Sequence, residues 1–285
     1  AMSRKFNTPV SLLVKEGSKA DQYLYQTNYI DKILILKREK NSNNNHNGFL
    51  GSLRLIKEIK KHNFDKIIIF NSSLRFNLIA RFSGIPNIYQ YPLFKKRRQH
   101  ITDTPKKFIK EKFDLDVNDD PEIQIDDKLI SKSIKKFQIK KDQLNILLGI
   151  GGSGPTKRIP ANIFLTVMEK LSKIKKCRFF LATGKNNEEQ IILDKIMQSD
   201  FKDLCLPLDY LTIKETLPII KNCNLSVCND SSFSHLSAAL GIKTITLMAD
   251  TPLIYGNYSS RMFPVIPDEE EIVTHNTLGK DKINP

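Results

Sequence analysis

The densest run of chemically useful side chains in this 285-residue chain is Asp230-Ser231-Ser232-Phe233-Ser234-His235. It follows an apolar run, Leu225 to Cys228, and precedes another, Ile242 to Met248. That order reads as strand, sharp polar turn, short helix, strand. Such a turn sets hydroxyls and free backbone amides at a helix N-terminus, a natural seat for phosphate. A second turn of this type, Gly149 to Arg158, follows the apolar run Leu144 to Leu148. Its glycines let the backbone turn tightly and approach a ligand. Gly152, Ser153, Thr156, Lys157 and Arg158 then offer an open backbone, hydroxyls and cations. No GKS or GKT closes the loop, so it is not a P-loop, and it lacks the GxGxxG dinucleotide pattern. Two phosphate-type loops in one α/β half point to a nucleotide-linked substrate, with Lys157 able to offset a leaving diphosphate.

Each candidate also has a plain structural reading. The Gly149 to Arg158 loop is an anion site or a tight turn, and Arg158 is alternatively a solvated surface charge. Asp230 either serves a ligand or caps the helix that follows, and Ser231 and Ser232 share that alternative. His235, on the first helical turn, is a ligand contact or a packing residue. Glu188 lies just past the run Cys177 to Ala182 and Gly184. It can accept hydrogen bonds from ribose hydroxyls, or simply place negative charge at a helix N-terminus. Thr251 and Pro252 follow the last strand and can form another edge of a cleft.

These residues need strands to end at them and helices to begin there, and the pattern supplies both. In the first half, Val10 to Val14, Lys32 to Leu36 and Ile67 to Phe70 read as strands. Ser18 to Tyr25, Phe49 to Lys61 and the stretch to about Phe82 read as helices, with Asn41 to Gly48 a polar loop. Pro92 to Thr104 is basic and loop-like, Pro105 to Phe113 and Ile130 to Phe137 read as helices, and Asp114 to Asp127 is turn-rich. The second half alternates more clearly. Strands at 144–148, 177–182, 204–206, 225–228 and 242–248 alternate with helices at 160–171, 187–197, 213–222 and from 232. Pro218 is expected to bend its helix or mark its start. The pattern implies an α/β fold of two Rossmann-like domains, residues 1–140 and 141–285.

Composition narrows the class. With 40% hydrophobic residues the chain can bury a substantial core. No apolar run approaches the roughly 20 residues that span a bilayer, and no secretory signal is visible. Ala1-Met2-Ser3 reads as a cloning remnant. Cys177, Cys205, Cys223 and Cys228 form no CxxC pair and read as buried free thiols, which suits a reducing, cytoplasmic setting. The five histidines are scattered, and no ligand set has zinc-site spacing. Residues 1–140 hold 28 Lys or Arg against 15 Asp or Glu, so that half carries +13 of the total +14. A field of that sign attracts nucleic acid, anionic lipid or an acidic glycan. No nucleic-acid-binding motif accompanies Lys95-Lys96-Arg97-Arg98, so nucleic acid is the least supported partner.

The two long motifs together resemble the ADP-heptose:lipopolysaccharide heptosyltransferase family, glycosyltransferase family 9. Asn229 to Gly241 is similar to its nDSGxxHLAAALG signature, and Gly151 to Pro160 to its substrate loop. Gly184 and Glu188 match its GxxxE element, and Met248-Ala249-Asp250-Thr251 its F-G-P-T. The resemblance implies the GT-B arrangement, two Rossmann-like domains facing a cleft. It implies an inverting transfer from a nucleotide-diphosphate sugar, ADP-heptose first, with no active-site metal and no cofactor. The acceptor would be an anionic glycolipid or glycan at the inner membrane, reached by peripheral contact of a cytoplasmic enzyme. The resemblance sets Ser153 and Lys157 against the diphosphate and Glu188 near the ribose. It sets Asp230, Ser231 and His235 around the sugar-phosphate, and the region of Leu211 around the base. The family also opens on a strand and a Gly-Asp turn whose aspartate is the expected general base. This chain begins at what resembles the second strand, so the first domain is expected to lack a strand and to expose apolar surface. A non-catalytic relative that binds a sugar nucleotide or a protein is the alternative. Ser232, where the family has glycine, and Ile159, where it has tryptophan, are further departures.

Overall fold

The computed structural model describes residues 1–38, 45–93, 102–117, 120–249 and 253–266. The chain divides into two compact α/β units. Among the described residues, one comprises those of 1–21 and 28–118 and the other those of 22–27 and 119–282.

The first unit runs α1 (Met2–Phe6), β1 (Val10–Lys15), α2 (Ala20–Tyr23, which crosses into the second unit), β2 (Ile30–Leu36), α3 (Gly48–Lys60), β3 (Lys66–Ile69), α4 (Leu74–Phe82), β4 (Asn87–Gln90) and α5 (Asp103–Phe113). Its strands form two separate parallel pairs, β1 with β2 and β3 with β4. Leu36, Leu55, Ile59, Ile69, Ile79, Ala80 and Ile85 make its core. The helix expected from Phe49 starts one residue earlier, and Gly51 is why it sits so close to the preceding loop: a Cβ there would overlap the His46 backbone. Large apolar side chains do remain in solvent, among them Phe49, Leu50, Leu53, Phe70, Leu74, Leu78 and Phe82. The basic run Lys95 to Arg98 lies outside the described residues.

The second unit runs α6 (Asp127–Phe137), β5 (Leu144–Gly149), α7 (Ala161–Ile174), β6 (Cys177–Ala182), α8 (Asn187–Met197), β7 (Cys205–Pro207), α9 (Ile213–Lys221), β8 (Leu225–Asn229), α10 (Ser232–Ala239), β9 (Thr244–Leu247) and β10 (Met262–Val265). Its six strands are all parallel, in the order β10-β9-β8-β5-β6-β7. The central strands β5, β6 and β8 are mostly apolar because helices cover both faces of the sheet. Ile146 and Leu148 of β5 face Phe164, Met168, Phe179 and Leu181. Leu147 faces the other way, among Phe180, Leu217, Ile220 and Leu240. From β5 the chain winds outward to β7, then returns to the other side of β5 to lay down β8. The neighbours β5 and β8 therefore flank a topological switch point, where ligands of such sheets bind beyond the strand ends.

Three expectations change. The division expected at residue 140 falls inside the second unit. Ser133 Oγ of α6 lies 3.1 Å from the Pro218 carbonyl, and Asn222 Nδ2 donates to Ser133 Oγ at 3.0 Å. Ile123 and Ile139 join the α9 and α10 side of the core. Burial of that face, rather than a charge transition, decides where α6 belongs. Pro218 does not start α9: a capping box of Thr212 and Glu215 does, five residues earlier. Two strands, β4 and β10, were not legible in the pattern. β10 contains Pro264, which a strand tolerates only at an edge, and β10 is the edge of its sheet.

Ser133→Ala removes the hydroxyl that ties α6 to α9, and is expected to lower the unfolding free energy of the second unit by about 1–2 kcal/mol. Urea denaturation measures this. An unchanged midpoint would return α6 to the first unit.

Candidate functional site

The site grows from the C-terminal ends of β5 and β8. A Cβ on Gly149 would fall 2.6 Å from Cys228 Sγ, so the two strands meet there without room for a side chain. Beyond that contact the backbones part. Asn229 holds the start of the divergence, donating from Nδ2 to the Ile150 carbonyl at 3.0 Å. The β5 loop then makes a tight 3-10 turn over Pro155–Lys157. Arg158 braces it, donating to the Gly152 carbonyl at 3.1 Å and pairing with Glu188. The Arg158 side chain is only 11% exposed, so it is not a solvated surface charge.

This turn delivers Lys157 to Asp230. Nζ lies 2.6 Å from Asp230 Oδ2, with Asp230 5% and Lys157 29% exposed. Asp230 therefore spends its carboxylate on the cation, and Ser231, not Asp230, is the N-cap of α10. Ser231 Oγ is buried with no hydrogen-bond partner. The first amides of α10 have no intrahelical acceptor and carry the positive end of the helix dipole. His235 stands on the same turn, its Nε2 3.9 Å from Asp230 Oδ1.

Two functional residues escaped the sequence reading. Glu189, 6% exposed, accepts from the Gly152 amide at 2.9 Å, from Thr183 Oγ1 at 3.2 Å and from the Gly184 amide. It clamps the β5 loop to the β6 loop. Its neighbour Glu188, the residue expected at the ribose, has a side chain 69% exposed and pairs with Arg158. The helix register separates them. Asn186 caps α8 by accepting from the Glu189 amide at 2.9 Å, and that turns the Glu189 side chain inward. The second residue is Tyr258, whose hydroxyl lies 2.7 Å from His235 Nδ1, with the rings stacked at 5.6 Å. No motif contains it; only its place after the last motif, within a Tyr- and Ser-rich turn, was visible.

The structure thus brings Gly152, Lys157, Asp230, Ser231 and His235 to one switch point, with Ser232 opening α10. Ser153 and Thr156 are exposed on the same loop. Leu211 lies past the end of β7, partly buried against the core. Thr251 lies outside the described residues. Among the described residues no group of three or more His, Cys, Asp or Glu side chains can hold a metal ion. The four cysteines are buried and free, and burial pushes Cys205 and Cys228 up to about 12.

Burial lowers the His235 pKa, the Asp230 charge opposes that, and Lys157 adds to it. The folded protein therefore binds this proton less readily than the unfolded chain. Its stabilising contribution is whole above the unfolded value of about 6.5 and is lost as pH falls below it. His235→Gln is expected to flatten the loss of melting temperature on acidification below that pH. Glu189→Ala leaves the Gly152 and Gly184 amides without their acceptor. It is expected to cost about 2–4 kcal/mol in chemical denaturation.

Residues 52–277 match the glycosyltransferase family 9 (heptosyltransferase) family. The chain is 22% identical over 312 residues to lipopolysaccharide heptosyltransferase 1 of Campylobacter coli, covering 97% of this chain and 86% of that one. Its fold is shared by a glycosyl transferase family 9 protein of Veillonella parvula (TM-score 0.75, 16% identity, 97% of this chain and 86% of that one). It is shared also by E. coli ADP-heptose LPS heptosyltransferase II (TM-score 0.64, 16% identity, 93% and 83%). The E. coli heptosyltransferase WaaC with ADP is a third (TM-score 0.67, 12% identity, 96% and 89%). With the family matched over most of its length, and the family's two loops meeting at one switch point, this chain belongs to glycosyltransferase family 9.

Proposed function

We propose that this chain is an inverting glycosyltransferase. It moves a sugar, heptose first, from a nucleotide-diphosphate donor such as ADP-heptose to an anionic lipopolysaccharide or related surface glycan. The observation that carries the reading is the Lys157–Asp230 pair at the open end of α10. It stores a cation beside unfilled helix amides and an unpartnered hydroxyl, Ser231 Oγ. A diphosphate satisfies all three.

In the reaction an acceptor hydroxyl oxygen attacks the anomeric carbon, and the bond from that carbon to the diphosphate oxygen breaks. The electron pair goes to the departing nucleoside diphosphate, and the configuration at carbon inverts. Lys157, the α10 amides and the Ser153, Thr156 and Ser231 hydroxyls stabilise the growing phosphate charge. That countercharge comes from the protein alone, so no metal is invoked. Asp230 keeps Lys157 in place before the donor arrives. Glu188 and Leu211 contact the ribose and base. The acceptor proton passes to a base opposite the leaving group. Lys157, Asp230 and His235 all stand on the leaving-group side, so the base comes from elsewhere.

The first unit supports contact with an anionic membrane at the cytoplasmic face. No helix among the described residues is long and apolar enough to cross a bilayer. The outward side of α3 carries exposed Phe49, Leu50 and Leu53 followed by Arg54, Lys57 and Lys60. Apolar and basic residues so arranged suit a bilayer interface.

Calorimetry with ADP, followed by transfer assays with ADP-heptose, tests the reading. Binding and turnover are expected, and Lys157→Met is expected to lower kcat/KM by about 10²–10³-fold. Binding of ADP without turnover on any donor would favour a non-catalytic relative, and no nucleotide binding would remove the site. Phe49→Glu is expected to weaken cosedimentation with anionic vesicles, and unchanged binding would remove α3 from the contact.

A further inference from the structure

We propose that Tyr258 is a positioning residue: it fixes His235 as a neutral imidazole with its proton on Nε2, a hydrogen-bond donor to the sugar-diphosphate and not a base.

Two contacts frame the ring. The Tyr258 hydroxyl is 2.7 Å from Nδ1, and the stacked rings, 20° from parallel, prevent the imidazole from turning over. On the other edge Nε2 faces Asp230 Oδ1 at 3.9 Å, too far for a hydrogen bond but close enough to feel its charge. Two neutral arrangements are available. In one, Tyr258 donates to Nδ1 and the Nε2–H dipole points at the carboxylate, which is attractive. In the other, Nδ1–H donates to the phenol oxygen and the Nε2 lone pair faces the carboxylate, which is repulsive. The second also leaves the phenol proton in need of another acceptor. The first arrangement wins on both counts.

The charged and titratable groups that face the ring come from three segments. Asp230 follows β8, Lys157 comes from the loop after β5, and Tyr258 lies on the segment after β9. Burial and the Asp230 charge push Tyr258 up to about 12, so the phenol keeps its proton as a donor. Burial disfavours the imidazolium.

The consequence is a division of labour. The one lone pair of the neutral ring is occupied by Tyr258, so His235 takes no proton from an acceptor hydroxyl. The gap between Nε2 and Asp230 leaves the N–H open to a second acceptor, an oxygen of the bound donor. That consequence rests on the transferase reading above; the tautomer does not.

The test uses the full chain labelled with 15N-histidine, with His235→Gln identifying the His235 signals among the five histidines. At neutral pH the wild type is expected to show Nδ1 bare and Nε2 protonated. Tyr258→Phe keeps the stacked ring and removes the donor. It is expected to mix the two tautomers and to raise the His235 titration midpoint, because a bond to the neutral form is lost. In the transfer assay it is expected to lower kcat about tenfold, one hydrogen bond's worth of alignment, with KM for the sugar nucleotide within about twofold. A protonated Nδ1 in the wild type overturns the proposal. So does a Tyr258→Phe variant with unchanged nitrogen shifts and midpoint. Absent transfer activity with the expected shifts intact would overturn the transferase reading and leave the tautomer standing.

Discussion

The second unit is organised by one close approach. At the ends of β5 and β8, Gly149 lies so near Cys228 that a methyl group would not fit between them. Two parallel backbones that meet this tightly must diverge immediately beyond, since each continues into a helix on its own side of the sheet. The divergence opens the space beside which the partly exposed Lys157 and His235 stand. Asn229, at the end of β8, ties its amide to the β5 loop and sets how fast the two part.

Charge completes what the backbone begins. The carboxylates of this region are each assigned to a partner. Asp230 faces Lys157, Glu188 faces Arg158, and Glu189 takes the backbone amides of Gly152 and Gly184. Glu189 works on rigidity: a buried carboxylate with three donors holds two loops in one register. Asp230 works on readiness: it holds a cation next to helix amides that want an anion. In the proposed function, an anionic donor would compete with Asp230 for Lys157, a contact separate from the Glu189 clamp.

The first unit shows a different balance. Its strands are paired two by two, its core is smaller, and the outward faces of α3 and α4 carry aromatic and aliphatic side chains in solvent. The positive field of the chain is concentrated in the same residues. Exposed apolar surface with a basic rim is costly for a chain bathed only in water and useful at a lipid boundary. The second unit, nearly neutral, has the larger core, with both faces of its sheet packed against helices.

How much of this was legible follows from how local each signal is. A strand, a turn of small polar residues and a helix start occupy about a dozen consecutive positions, so the loops at Gly149 to Arg158 and Asp230 to His235 could be found by reading along the chain. The alternation that makes an α/β fold is equally local. Three features were not. Choosing between Glu188 and Glu189 requires the register of α8, which the Asn186 cap sets and which rotates adjacent residues by about 100°. Tyr258 reaches His235 from 23 residues away, through a turn with no regular pattern. The segment from Asp120 to Gln138 stands before the division expected at residue 140 and packs on the second core, through Ser260, α9 and α10. The sequence by itself determined which residue types stand at the ends of which strands, because short-range pattern encodes that. Only the tertiary structure decided which carboxylate faces inward, which ring orients the histidine and which core claims α6. Those choices depend on distances between positions far apart in the chain, and no local pattern records them.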